Sequence, residues 1–199
     1  LSLGLDLAKK SDADIVIGVP DSAIPAAIGY SNESKIPYTE GLIRNRYVGR
    51  TFISPNQKLR ELGVKTKFNV LNRIVKDQRI ILIDDSIVRG TTTSRVIEMI
   101  KNAGAKEIHM RVSSPPITSP CFFGVDMATT SELIANKFNI EEIRKIIGAD
   151  SLGFLSIDSL QKSVNAKKNN YCNACFTGNY PMPVQLDFDK FHLEKIKQK

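Results

Sequence analysis

Residues 79–83, RIILI, are followed at once by Asp84 and Asp85. Four consecutive large aliphatic residues do not alternate as a half-exposed strand would. They suit a strand covered on both faces, as in a parallel sheet. Residues 13–19 (ADIVIGV) form a second run of strand length, stopped by Pro20. Residues 107–113 (EIHMRVS) form a third, and residues 36–43 are a further short candidate. Helical spacing lies between these runs. Residues 92–103 place Val96, Ile97 and Ile100 on one face, with Gly104 as the stop. Residues 139–148 (NIEEIRKIIG) open on an N-cap type, Asn139, and close on Gly148. Residues 3–10 and 22–30 are two more helical candidates. Strands alternating with helices imply parallel pairing through right-handed crossovers, so the expected fold is α/β, an open, mostly parallel sheet flanked by helices.

The 199 residues suffice for one ordinary domain, taken here as residues 1–162. The polar, basic stretch 163–199 reads as a cysteine-bearing appendage. An apolar share of 42% is that of a globular protein, and no run approaches the roughly 18 residues that span a bilayer. The start, LSLGLDLAKK, has neither an initiator Met nor the layout of a signal peptide, which suggests an internal or processed piece. The net charge of +7 suits a polyanionic partner, but Lys crowds the end, as in EKIKQK. No helix-turn-helix candidate is visible, so nucleic acid is not the expected partner. Three cysteines cannot close a disulfide framework, and a cytoplasmic setting is expected.

In an open α/β sheet, ligands bind beyond the carboxyl ends of the strands. Asp84 and Asp85 occupy that rim, and SIVRGTTT (86–93) leads from it into a helix. Gly90 permits close backbone approach, while amides at the helix start and the hydroxyls of Thr91 and Thr92 can face a phosphate. Two carboxylates would repel that phosphate unless they face sugar hydroxyls or a divalent cation. A ribose phosphate with Mg²⁺ satisfies both groups. The plainer alternative is a strand end and a helix cap. A Walker-type loop is excluded, because no GxxxxGK[ST] exists. Val19-Pro20-Asp21-Ser22 likewise reads either as a ligand loop or as a turn with Asp21 or Ser22 as N-cap. Residues 44–57 carry Arg44, Arg46 and Arg50 with Tyr47 and Phe52. They read as a long basic loop, either solvated or functional.

Residues 80–92 resemble the binding motif for phosphoribosyl pyrophosphate (PRPP) in type I phosphoribosyltransferases. GVPDSAIPAAIGY, GLIRNRYVGRTFI, SSPPITSPCFFGVD, ELIA, IGADSLGFLS and CNACFTG extend the likeness. Together they resemble the phosphoribosyltransferase half of the amidophosphoribosyltransferase family, iron–sulfur type. The resemblance implies a type I phosphoribosyltransferase-like sheet. It also implies transfer of the phosphoribosyl group of PRPP to ammonia, drawn from glutamine in the full-length enzyme, in purine biosynthesis.

The roles implied by the resemblance fall on particular residues. Asp84 and Asp85 hold the ribose hydroxyls and, with Ser22, place Mg²⁺. Ser86, Arg89, Gly90, Thr91 and Thr92 cradle the 5-phosphate, and Pro20, Asp21 and Ser22 line the pyrophosphate. Arg46 and Arg50 close over the leaving group. Arg44 stands where the family commonly has Lys, and the two cations differ in geometry.

CNAC read by itself is redox-active, half a zinc site, or two free thiols. The resemblance assigns Cys121, Cys172 and Cys175 to a [4Fe–4S] cluster whose fourth ligand this sequence lacks. It further implies an N-terminal glutaminase domain absent from this chain, feedback by purine nucleotides, and a homo-oligomer at full length. The alternatives on the same fold are a nucleobase phosphoribosyltransferase and a PRPP-sensing regulator. His109 and His192 have no partner at metal-ligand spacing and receive no role.

Overall fold

The computed structural model describes residues 12–45, 47, 67–125, 129–164 and 171–183. Its centre is β4 (Arg79–Asp84), whose Ile80, Ile81 and Leu82 are fully buried. Beside it run β1 (Ile15–Gly18), β5 (Glu107–Val112) and β6 (Ser151–Phe154). All pair in parallel in the order β1-β4-β5-β6, as the unbroken aliphatic run requires. Register places Gly18 beside Ile83, so the two ligand-loop candidates leave the sheet at one level.

Helix α1 (Ile24–Ser34) packs on β1 and β4. Gly18 permits its close approach: a Cβ there would stand 3.0 Å from Ala27 Cβ and 3.2 Å from the Ala23 carbonyl. Helix α2 (Asn72–Val75) is a single turn ahead of β4. Helices α3 (Thr91–Asn102) and α5 (Ile140–Ile147) pack on each other and reach β5 and β6 respectively. The buried face of α3 is Thr93, Val96, Ile97 and Ile100, the stripe expected from the spacing. On α5, Asn139 accepts from the Glu142 amide while the Glu142 side chain accepts from the Asn139 amide, a full capping box. Gly148 ends this helix at φ 78°. Short α4 (Ile134–Lys137) and α6 (Ile157–Ser163) complete the main body.

Several expectations need correction. Residues 36–43 are not one strand. The Pro37 carbonyl accepts the Val16 amide at 2.9 Å and the Thr39 amide donates to the Val16 carbonyl at 3.0 Å, so pairing with β1 is a single bridge at Tyr38. Antiparallel pairing then begins at β2 (Leu42–Arg44), against β3 (Phe68–Val70), a strand the sequence did not announce. Helix α1 starts two residues later than expected and runs four further, to a left-handed Lys35 at φ 62°. Its N-cap is Ala23 with no side-chain cap, so Asp21 and Ser22 do not cap it. Strand β6 carries no strand signal in the sequence, because SLGF lacks an aliphatic run. The helix expected at 3–10 and most of the basic loop 44–57 lie outside the described residues.

Beyond residue 170, α7 (Ala174–Thr177) lies against residues 117–120. The Cys175 carbonyl accepts the Thr118 and Ser119 amides at 2.9 and 3.0 Å, and Tyr180 donates to the Pro120 carbonyl at 2.8 Å.

Candidate functional site

Two loops meet at the carboxyl rim of the sheet. The turn after β1, whose Pro20–Asp21 peptide is cis, presents Asp21 and Ser22 outward. The turn after β4 presents Asp84 and Asp85. Ser22 Oγ donates to Asp85 Oδ2 at 2.5 Å, joining residues 63 apart. Ser86 Oγ donates to Asp85 Oδ1 at 3.0 Å, and the Asp85 amide donates to Asp84 Oδ1 at 2.9 Å. The helix-cap reading fails for Asp84 and Asp85 as well, since α3 is capped by Gly90.

Burial pushes the Asp84 carboxyl up to about 7, and the Asp85 charge adds to the rise. The Asp85 amide and the Lys67 cation oppose it. A buried carboxyl with a like charge beside it favours the approach of a cation. Arg44 supplies part of the balance: its Nη1 meets Asp21 Oδ2 at 3.0 Å, while its Nε is buried without a partner. Lys67 supplies more, and nothing in the sequence singled it out. Burial pushes the Lys67 ammonium down and the Arg44 charge adds to this, against the pull of Asp84, Asp21 and Asp85. The β2–β3 ladder pairs Arg44 with Phe68, placing Lys67 beside it with Nζ 5.3 Å from the Phe68 ring centroid. A short antiparallel pair with half-buried members leaves too weak a period to be read from sequence.

The loop 86–90 ends on Gly90 at φ 78°, a conformation that glycine adopts without penalty. Thr91 and Thr92 are exposed at the first turn of α3, which has no side-chain cap, so its leading amides are free to receive an anion. Arg89, expected in the phosphate cradle, stands in this loop. Its guanidinium forks onto Glu132, with Nε and Nη2 each donating at 3.1 Å.

Ser22, Asp84 and Asp85 offer only oxygen donors, and that donor chemistry fits Mg²⁺. The thiols form a separate group of soft donors. Cys175 is raised by burial and then by the charges of Cys121 and Cys172, so the three are neighbours. Among the described residues, however, no three His, Cys, Asp or Glu side chains converge closely enough to hold an ion. His109 is engaged between strands, with Ser151 Oγ and Glu107 Oε2 each at 3.0 Å. Arg46 and Arg50 lie outside the described residues. Among the described residues, no helix is long and apolar enough to cross a membrane.

The chain is similar to known proteins over most of its length. The family model described as the phosphoribosyl transferase domain matches residues 5–114. The chain is 56% identical over 193 residues to an amidophosphoribosyltransferase of Methanothermobacter thermautotrophicus, spanning 96% of this chain and 41% of that protein. It is 52% identical to the Bacillus subtilis amidophosphoribosyltransferase, spanning 94% of this chain and 40% of that protein. A solved structure of glutamine PRPP amidotransferase from B. subtilis, complexed with ADP and GMP, superposes with a TM-score of 0.81. That match is 52% identical and covers 94% of this chain and 42% of the other. The chain thus spans about two-fifths of the length of these relatives.

Proposed function

The chain belongs to the phosphoribosyl transferase domain family, and from that premise we propose that it is the phosphoribosyl-transferring part of an amidophosphoribosyltransferase. The reaction would join ammonia to C1 of PRPP, break the bond from C1 to the pyrophosphate oxygen, and release 5-phosphoribosylamine and pyrophosphate. One observation supports this reading above the others: Ser22 of the first loop bonds to Asp85 of the second, so the loops we assign to pyrophosphate and to ribose share one edge.

Asp84 and Asp85 accept hydrogen bonds from the ribose hydroxyls and fix the sugar's orientation. The amides and hydroxyls at the start of α3 hold the 5-phosphate. Mg²⁺, held by Ser22, Asp84 and Asp85, would offset charge on the pyrophosphate. Arg44 and Lys67 face the same charge, and cations preset at a leaving group lower the barrier to its departure. Ammonia carries its own lone pair, so no protein base is required for attack.

In the longer protein, glutamine would supply the ammonia and purine nucleotides would act as feedback ligands. The B. subtilis relative complexed with ADP and GMP supports the second point. Cys121, Cys172 and Cys175 would give three of the four thiolates of a [4Fe–4S] cluster, and the sequence holds no fourth cysteine. Iron content and visible absorption of the full-length protein test that assignment.

Titration calorimetry of PRPP with and without Mg²⁺, paired with an ammonia-dependent pyrophosphate assay, tests the main reading. Mg²⁺-dependent binding and turnover are expected, both lost in the double variant Asp84→Asn with Asp85→Asn. Near-normal pyrophosphate release by that variant would refute the site.

A further inference from the structure

Three consecutive residues of the phosphate loop are each gripped from behind by one short segment. The Val88 carbonyl accepts the Ile134 amide at 2.9 Å. Arg89 forks onto both oxygens of Glu132. Gly90 lies so close to Ile134 that a Cβ there would stand 2.7 Å from Ile134 Cδ1. The gripping segment is itself fixed. Leu133 is fully buried and clusters with Ile117, Val88, Cys175 and Phe176. The Glu132 amide donates to the Thr129 carbonyl at 2.8 Å, and Asn136 Nδ2 donates to the Thr118 carbonyl at 3.0 Å.

We propose that Glu132 is a positioning residue: by holding Arg89 in a two-pronged ion pair it sets the backbone of residues 86–92, so that the loop's amides and hydroxyls are oriented before phosphate arrives. This assignment rests on the proposed reading of the loop as the 5-phosphate site.

A partly exposed ion pair contributes little to global stability, so stability alone would not account for this one. Its geometry is what matters. The planar guanidinium meets the carboxylate along two parallel bonds, which fixes direction as well as distance. The Arg89 hydrogen bonds hold the Glu132 carboxyl below the usual carboxylate range, so the pair stays ionised at neutral pH. Because the guanidinium points back toward Glu132, Arg89 acts on phosphate through its backbone and its neighbours. A preset cradle loses less freedom on binding than a mobile one.

The test uses the full chain with Glu132→Gln, Glu132→Asp, Arg89→Gln and the Glu132→Gln/Arg89→Gln double variant. Hydrogen exchange of the amides at 87–92, read without ligand, should quicken in Glu132→Gln while Tm holds. PRPP affinity with Mg²⁺ should fall about tenfold, the scale of a lost charged hydrogen bond. KM should rise with kcat kept, the signature of an interaction equal in ground and transition states. Glu132→Asp should recover part of the loss, and the double variant should be no worse than either single. Unchanged loop exchange in Glu132→Gln, or a fall in Tm that accounts for all the other losses, overturns the proposal. A wild-type chain that ignores PRPP overturns the proposed function instead, and the ligand-free exchange still decides the clamp.

Discussion

Ser22 Oγ donates to Asp85 Oδ2, and through that bond the turn after β1 is tied to the turn after β4. Parallel register puts Gly18 beside Ile83, and Gly18 lets α1 approach closely, so the two turns emerge side by side. Ser22 does not cap α1, which leaves its hydroxyl free for this contact.

Ser22→Ala should therefore act on ligand binding more than on folding. The hydroxyl is exposed, and its removal leaves no buried group unpaired. Stability should change by less than about 0.5 kcal/mol, as for surface positions in general. Affinity for PRPP in the presence of Mg²⁺ should fall roughly tenfold. Calorimetry and urea unfolding on the same preparation separate the two effects.

Asp84→Asn should stabilise the ligand-free protein above neutral pH. The folded chain holds the Asp84 proton up to about 7, whereas the unfolded chain releases it near 3.8. Native Asp84 thus erodes stability as pH rises between those values, and the loss persists above them. The amide carries no such charge. A gain of about 2–4 kcal/mol is expected at pH 8, the lower figure allowing for solvent screening of a carboxyl at the rim, and well under about 1 kcal/mol at pH 4, in chelator-containing buffer. Equal unfolding free energies for variant and parent at both pH values would contradict the placement of Asp84 in a low-dielectric rim.

Lys67→Met keeps the aliphatic stem on Phe68 and removes the charge. Turnover with ammonia should drop by at least about tenfold, as for loss of one charge-stabilising group. A KM change alone, with kcat intact, would show that Lys67 binds PRPP without assisting departure of pyrophosphate.

Gly90→Ala should damage both the loop and the fold. Its φ of 78° disfavours any Cβ, and that Cβ would press on Ile134 Cδ1. A loss of about 1–3 kcal/mol is expected from thermal or urea unfolding. PRPP binding should weaken further than Ser22→Ala causes, because the leading amides of α3 turn with the loop.

The parallel sheet was legible in the residues, since the aliphatic run at 80–83 suits a strand covered on both faces and alternates with helical spacing along the chain. The sequence by itself also determined the rim position of Asp84 and Asp85, the buried stripe of α3 and both caps of α5. All of these are local patterns with a fixed period or a required residue type. Tertiary structure alone decided the rest. It divided residues 36–43 between a bridge to Val16 and a ladder to β3, turned Ser22 from a helix cap into a partner of Asp85, set Lys67 beside Arg44, and pointed Arg89 at Glu132. Each of these depends on contacts between residues distant along the chain. No window of sequence contains both partners, and only packing brings them within hydrogen-bond reach.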